Sequence, residues 1–295
     1  MKPILLFLLF FLGPSTLFAQ DRHIARLAQE LQSSDVAIRR QAAIALGRAS
    51  YPQSVDLLRR SFPNEVETSI RLEIVRALAN IVFLRFPGYP EALRALGDAA
   101  DGAVEKNELV RLRATEALWE AAKKDLLDPV PFLERNLGDR SQRLRLSAVQ
   151  MLRKLGNPAT VPPLGRAALD KTQTETIRLK AIEALGAISL SDPGPAGREV
   201  ARANIRTTGL LGVPQLADPG LLERRHQLQI NFLAQVARDS GNSPSLILRA
   251  VKSMGQVKHK SSIPVLNELI TTHPNPAVRK QATRVLSHVL ARQYE

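Results

Sequence analysis

Asp35-Val36-Ala37-Ile38-Arg39-Arg40-Gln41-Ala42-Ala43-Ile44-Ala45-Leu46-Gly47 is the stretch whose reading decides the fold. A capping-type residue opens it. Counted from Asp35, an apolar residue stands at +3, Arg at +4, Ala at +7, Leu at +11 and Gly at +12. Offsets 3, 7 and 11 fall on one side of a helix, so this stripe faces inward. Asp at the opening position can accept the N–H groups that a helix start leaves unpaired.

The frame recurs down the chain. Thr174 leads to Ile177, Arg178, Ala181, Leu185 and Gly186, and Asn107 leads to Val110, Arg111, Ala114, Leu118 and Trp119. Ser141 leads to Leu144, Arg145, Ala148 and Leu152, and Asn275 leads to Val278, Arg279, Ala282, Leu286 and Ser287. Glu67 opens a weaker copy through Ile70, Arg71, Ile74, Leu78 and Ala79. Ser243 opens another through Leu246, Ile247, Ala250, Met254 and Gly255, without the Arg. The +7 residues stand 32 to 40 positions apart, except for a gap of 69 between Ala181 and Ala250. That gap predicts one degenerate repeat between Ile182 and Arg249.

Most copies are followed by a second apolar stretch at helical spacing: 55–62, 90–99, 130–137, 159–169 and 263–270. Pro and Gly mark the joints, and no alternating β-branched run reads as a strand. One helix pair of this size cannot bury its own apolar side, whereas stacked neighbours can. The prediction is an all-α chain, an α-solenoid (superhelix) of about seven to eight helix-pair repeats over 20–295, with its weakest register at 189–242. A small residue at +7 is expected to let the second helix of the pair come close.

A period near 33 suits several repeat families. The tetratricopeptide Trp-Leu-Gly-Tyr and ankyrin Thr-Pro-Leu-His signatures are absent. Ile177-Arg178-Leu179-Lys180-Ala181-Ile182-Glu183-Ala184-Leu185-Gly186 instead resembles the short HEAT-like repeats also seen in phycobilisome-lyase-type proteins. The resemblance spans Asp21 to Gln293 and weakens from Ser189 to Asn242. It implies that Arg39, Arg71, Arg111, Arg145, Arg178 and Arg279 are structural and bond neighbouring turns and carboxylates. Five donors on a planar guanidinium suit such stitching. The alternative is a basic ladder that grips a ligand. Lyase activity is not implied, because no residue matches a chromophore-handling motif.

The N-terminus carries a second message. Lys2 precedes an apolar run from Ile4 to Leu12, then Gly13-Pro14-Ser15-Thr16 and Leu17-Phe18-Ala19. This pattern predicts a secretory signal peptide over 1–19, cleaved after Ala19. An uncleaved membrane anchor is the alternative, although a spanning helix needs about 20 apolar residues. The expected location is the bacterial periplasm or the cell exterior. Cysteine is absent, which removes disulfides and thiolate chemistry.

The formal net charge of +13 is unevenly spread. From Asp21 to Arg140, 18 Lys and Arg balance 18 Asp and Glu; from Ser141 to Glu295, 22 face 10. The basic half suggests an anionic partner. Arg143, Arg153, Lys154, Arg166, Lys171 and Lys180 form one candidate cluster, and Arg224, Arg225, Lys252, Lys258 and Lys260 another. Their plainer reading is a solvated surface. Export and scarce aromatics disfavour nucleic acid, which single-strand binders hold by stacking.

Catalysis has little to work with. His23, His226, His259, His273 and His288 are scattered without metal-ligand spacing, and Glu116 and Glu120 read as ordinary charge pairing beside Lys123 and Lys124. No catalytic residue, metal site or cofactor is expected, and no small-molecule substrate is evident. Phe83-Leu84-Arg85-Phe86-Pro87-Gly88-Tyr89-Pro90 and the Pro- and Gly-rich 189–220 break the rhythm; a core plug and a joint are expected. The predicted function is a non-catalytic protein–protein scaffold or adaptor of the cell envelope. The alternatives are a binder of an anionic glycan, polymer or lipid surface, and a lyase-like enzyme subunit using the solenoid groove.

Overall fold

A computed structural model describes residues 14–49, 51–188 and 219–291. The leader up to Gly13 and the joint up to residue 218 lie outside the described residues. No described residue lies in a strand, and the chain is an all-α solenoid. It divides into two units, Met1–Leu127 and Asp128–Glu295.

The first unit holds α1 (Pro14–Glu30), α2 (Val36–Arg48), α3 (Gln53–Ser61), α4 (Thr68–Phe83), α5 (Tyr89–Ala99) and α6 (Glu108–Lys123). Helices α2, α4 and α6 carry the repeat frame and pack side by side; α3 and α5 return between them. The second unit holds α7 (Val130–Asn136), α8 (Gln142–Leu155), α9 (Val161–Leu169), α10 (Glu175–Ala187), α11 (Pro219–Arg238), α12 (Pro244–Val257), α13 (Ser262–Thr272) and α14 (Pro276–Ala291). There α8, α10, α12 and α14 carry the frame, and α9, α11 and α13 return.

The frame works as physical chemistry requires. Side chains of Asp35, Asn107, Ser141, Ser243 and Asn275 accept N–H groups of the first helical turn, at 2.7 to 3.4 Å. Glu67 and Thr174 make no such cap. The +3, +7 and +11 stripe is buried in α4, α6, α8, α10 and α12. Two stripe residues depart from the expected inward face. Ile38 is 42% exposed, and Leu286 is half-buried. Ile38 lies in the first and Leu286 in the last of the described frame helices.

Glycine at +12 sets how closely successive frame helices approach. A Cβ on Gly47 would sit 2.5 Å from Ala77 of α4. One on Gly186 would sit 2.7 Å from Ser253 of α12. The second contact corrects the reading of the long gap. Helix α10 lies directly against α12, with no helix pair between them. The physical reason is that α11 is the return helix of the α10 repeat: Gln229 donates to the carbonyls of Leu185 and Ile188. Gly165 of α9 also lies against Phe232 of α11. The 69-residue spacing is therefore one repeat with extra chain.

The aromatic stretch after α4 is a turn rather than a core plug. Leu84 is 61% exposed, Phe83 and Phe86 are half-buried, and Arg85 and Gly88 both take positive φ, 52° and 84°. Gly88 opens α5 in the left-handed region, which glycine adopts without steric cost.

Candidate functional site

The repeat arginines share one geometry. The Nη1 of Arg39, Arg111, Arg145 and Arg279 donates to two consecutive backbone carbonyls in the loop before its own helix, at 2.7 to 3.1 Å. Arg71 Nη1 also donates to two carbonyls before its helix, those of Phe62 and Glu65, which are not consecutive. Arg178 differs, donating from Nε to the carbonyl of Ala168 at the end of α9. Carbonyls that helix and turn geometry leaves unpaired are thereby satisfied.

The other edge of the guanidinium reaches the next repeat. Arg39 forks onto both oxygens of Glu65 at 2.9 and 3.1 Å, Arg71 donates from Nε and Nη2 to one oxygen, Oε2, of Glu105, and Arg178 meets Asn242 at 2.7 Å. Forked pairing fixes orientation as well as attraction. Arg145 Nε is buried without a partner. The acceptors also act as local caps: Glu65 accepts the N–H of Glu67, Glu105 that of Asn107, Asp139 that of Ser141, and His273 Nδ1 that of Asn275. Burial pushes the Glu65 carboxyl up, but the Arg39 bond and the amide of Glu67 hold it below the usual carboxylate range. His273 was named from the sequence only as one of five scattered histidines, and Glu65, Glu105 and Asp139 were not singled out. The available signal was a polar residue two places before most caps.

The basic candidates separate into two groups. Arg166 pairs with Glu134, Lys171 with Asp239 at 2.8 Å, and Lys260 lies 3.9 Å from Glu223. These charges are matched on the return-helix side. Arg143, Arg224 and Arg225 are distributed over the first turns of α8 and α11 and are not drawn into one site.

The frame helices tell a different story. Glu183 of α10 binds Lys180 at 2.9 Å and Arg249 of α12 at 3.2 Å. Burial would raise its carboxyl, yet Lys180, joined by Arg249 and Arg153 of α8, holds it low. One turn beyond Arg249, Lys252 shares a cavity of about 290 Å³ with Lys258, Arg284 and His288. Gln256, Gln281, Gly255, Val285 and Val289 complete its lining. Lys154 is exposed beside Arg153. Arg153, Lys180, Arg249, Lys252 and Arg284 thus form a basic face over α8, α10, α12 and α14, with Glu183 as its acidic member. Helices α8, α12 and α14 contain no Asp or Glu. Arg249 and Arg284 were missed by sequence reasoning.

The first unit offers the contrast. Arg76 pairs with Glu73, Arg113 with Glu116 and Lys123 with Glu120, each within one helical turn at 2.7 to 2.9 Å. Helices α4 and α6 hold these pairs internally, whereas α2 carries Arg39, Arg40 and Arg48 without Asp or Glu.

Two histidines come together unexpectedly. His226 and His259 stack with ring centroids 4.3 Å apart. His259 Nε2 lies 3.1 Å from Glu223, and its Nδ1 lies 2.9 Å from Ser261 Oγ. Burial, then the neighbouring His226, lowers the His259 pKa in spite of Glu223. Ser261 Oγ also reaches Glu223, and the Ser261 N–H points to His259 Nδ1. This is a capping arrangement at the start of α13. Among the described residues, no group of three or more His, Asp or Glu is placed to hold a metal ion.

With this geometry in place, the comparisons add the following. The family model described as HEAT repeats matches residues 24–119, 102–186, 129–205 and 230–292. No curated protein matches the chain. Among solved structures, human deoxyhypusine hydroxylase in complex with glycerol aligns with 95% of this chain and 100% of its own, at 16% identity and a TM-score of 0.38. YibA of E. coli aligns with 90% of this chain and 82% of its own, at 15% identity and a TM-score of 0.43.

Proposed function

Because this chain belongs to the HEAT-repeat family, we propose that it is a non-catalytic scaffold of the bacterial cell envelope whose second unit captures an acidic partner protein. The basic face carries this reading. Arg153, Lys180 and Arg249, from α8, α10 and α12, meet around one carboxylate, Glu183, and hold it below the usual carboxylate range, while Lys252 and Arg284 extend the positive charge to α14. Clustered charge of one sign steers an oppositely charged partner and sets the salt dependence of capture. Glu116 pairs with Arg113, Glu120 with Lys123, and His273 Nδ1 accepts the amide of Asn275, structural roles that favour a non-catalytic reading.

The leader supports export, with 1–19 removed and 20–295 forming the mature solenoid. Among the described residues no helix is long and apolar enough to cross a membrane. Mass spectrometry of the mature N-terminus tests this: a start at Gln20 supports export with cleavage, and a chain retaining Met1 refutes it.

The face also suits an anionic glycan or lipid surface, so the test must separate the occupants. A photo-reactive residue at Gln150 or Gln256, both exposed on the face, is compared with one at Glu91 of the first unit in envelope extract. The proposal predicts one acidic protein crosslinked from the two face positions, lost when Arg153 and Lys252 are changed to Glu. Crosslinks to glycan or lipid alone, or crosslinks indifferent to those changes, would overturn it.

A further inference from the structure

The face has uniform charge but not uniform shape. Between α12 and α14 it dips into the cavity of about 290 Å³. Lys252, Lys258, Arg284 and His288 stand around it, Gln256 and Gln281 supply amides, and Gly255, Val285 and Val289 give it an apolar floor. No acidic side chain is among the lining residues. Among the described residues, Lys252, Lys258 and Arg284 make no ion pair, in contrast to Lys180 and Arg249. His288 Nδ1 donates to the carbonyl of Arg284, which turns its other nitrogen outward from that bond.

Two constraints define an occupant. The uncompensated cations call for negative charge, and the floor calls for hydrocarbon. At about 290 Å³ the cavity lies at the small end of ligand pockets and has room for an aliphatic side chain. The floor depends on Gly255: a Cβ there would lie 2.8 Å from Val285 Cγ1. At interfaces a few side chains seated in well-packed, desolvated pockets carry most of the affinity, while the charges around them steer encounter and set specificity.

We propose that this cavity is the anchor pocket of the face, seating one aliphatic side chain of an acidic partner segment while Lys252, Lys258 and Arg284 hold the carboxylates beside it. This rests on the reading of the basic face as a capture surface. It adds the recognition element: an acidic stretch interrupted by a Leu, Ile or Val.

The test uses the full chain and two synthetic acidic peptides, identical except for one central Leu replaced by Ser, read by fluorescence anisotropy. The Leu peptide should bind roughly tenfold tighter or more, the effect of burying one aliphatic side chain. Gln281→Trp, which fills the pocket without altering charge, should abolish that difference and leave the Ser peptide unchanged. If Gln281→Trp melts early, His288→Trp from the exposed rim takes its place. Lys252→Glu with Arg284→Glu should weaken both peptides. Equal, salt-sensitive affinity for both peptides would overturn the pocket and leave the face reading standing. No binding of either would overturn the face reading and the pocket with it. Binding of decanoate without binding of the Leu peptide would make the occupant a lipid carboxylate and also overturn the proposal.

Discussion

Arg71→Met isolates the joint between two repeats of the first unit. The Arg71 side chain is 15% exposed and its partner Glu105 only 3%. Substitution leaves the Glu105 carboxylate with the Asn107 amide at 2.6 Å as its remaining partner in this set. The carbonyls of Phe62 and Glu65 lose their donor. The Phe62 ring, 4.3 Å from the guanidinium carbon, loses its cation. Removing one partner of a buried ion pair costs about 3–5 kcal/mol. Partial exposure of Arg71 brings the expectation to roughly 2–4 kcal/mol. Solenoids open locally, so hydrogen exchange of α4 and α6 amides in the full chain is a better readout than a global melt. Protection should fall by roughly 30- to 1000-fold, since each 1.4 kcal/mol is about a factor of ten. Glu105→Gln combined with Arg71→Met should cost clearly less than the two changes summed, because the second removes a charge already stranded. Protection reduced less than about fivefold, or strict additivity, would refute the idea that this pair holds adjacent repeats together.

Other consequences follow from the same packing. Ala181 is fully buried on the α10 stripe, so Ala181→Leu should destabilise by roughly 1–3 kcal/mol in urea titration; wild-type behaviour would mean the stripe does not face the core. Burial and His226 depress the His259 pKa, so its contribution to stability is complete above about pH 6.5 and is lost as pH falls through the folded value. The urea midpoint should therefore drop between about pH 7.5 and 5.5, and His259→Gln should flatten that drop; an unchanged slope would remove His259 as its source. The chain has no cysteine, so Glu183→Cys with Arg249→Cys should be joined by a short bismaleimide. Failure to crosslink in the folded protein would contradict direct contact of α10 with α12.

Much of the fold was legible because its information is local. A cap, an apolar stripe and a Gly at fixed offsets specify a helix, its inward side and its closest neighbour within thirteen residues, as Ser243 to Gly255 illustrates. What escaped was non-local. The gap between Ala181 and Ala250 has the length of two repeats, and only the contact of Gly186 with Ser253 shows that the extra chain leaves the stack uninterrupted. The role of the loop acceptors went unnoticed because Glu65, Glu105, Asp139 and His273 share a position two places before the cap but not a chemistry. The candidate site was half legible. Excess positive charge in the second half was plain, yet neighbours in sequence diverge in space. Lys171 turns to Asp239 and Lys180 turns to Glu183. Arg249 and Arg284 were overlooked because neither has another cation beside it in the sequence. They become a surface only when α10, α12 and α14 lie side by side.

Titrating a fluorescent polyglutamate probe against ionic strength tests the capture surface most directly. The wild-type chain should bind at about 0.05 M salt and lose most of its affinity by roughly 0.5 M, where charges beyond a few ångströms are screened. Changing Arg153, Lys252 and Arg284 to Glu should abolish binding, whereas Arg76→Glu and Arg113→Glu in the first unit should leave it intact. Equal losses from the two sets, or affinity indifferent to salt, would contradict the assignment of capture to the basic face of the second unit.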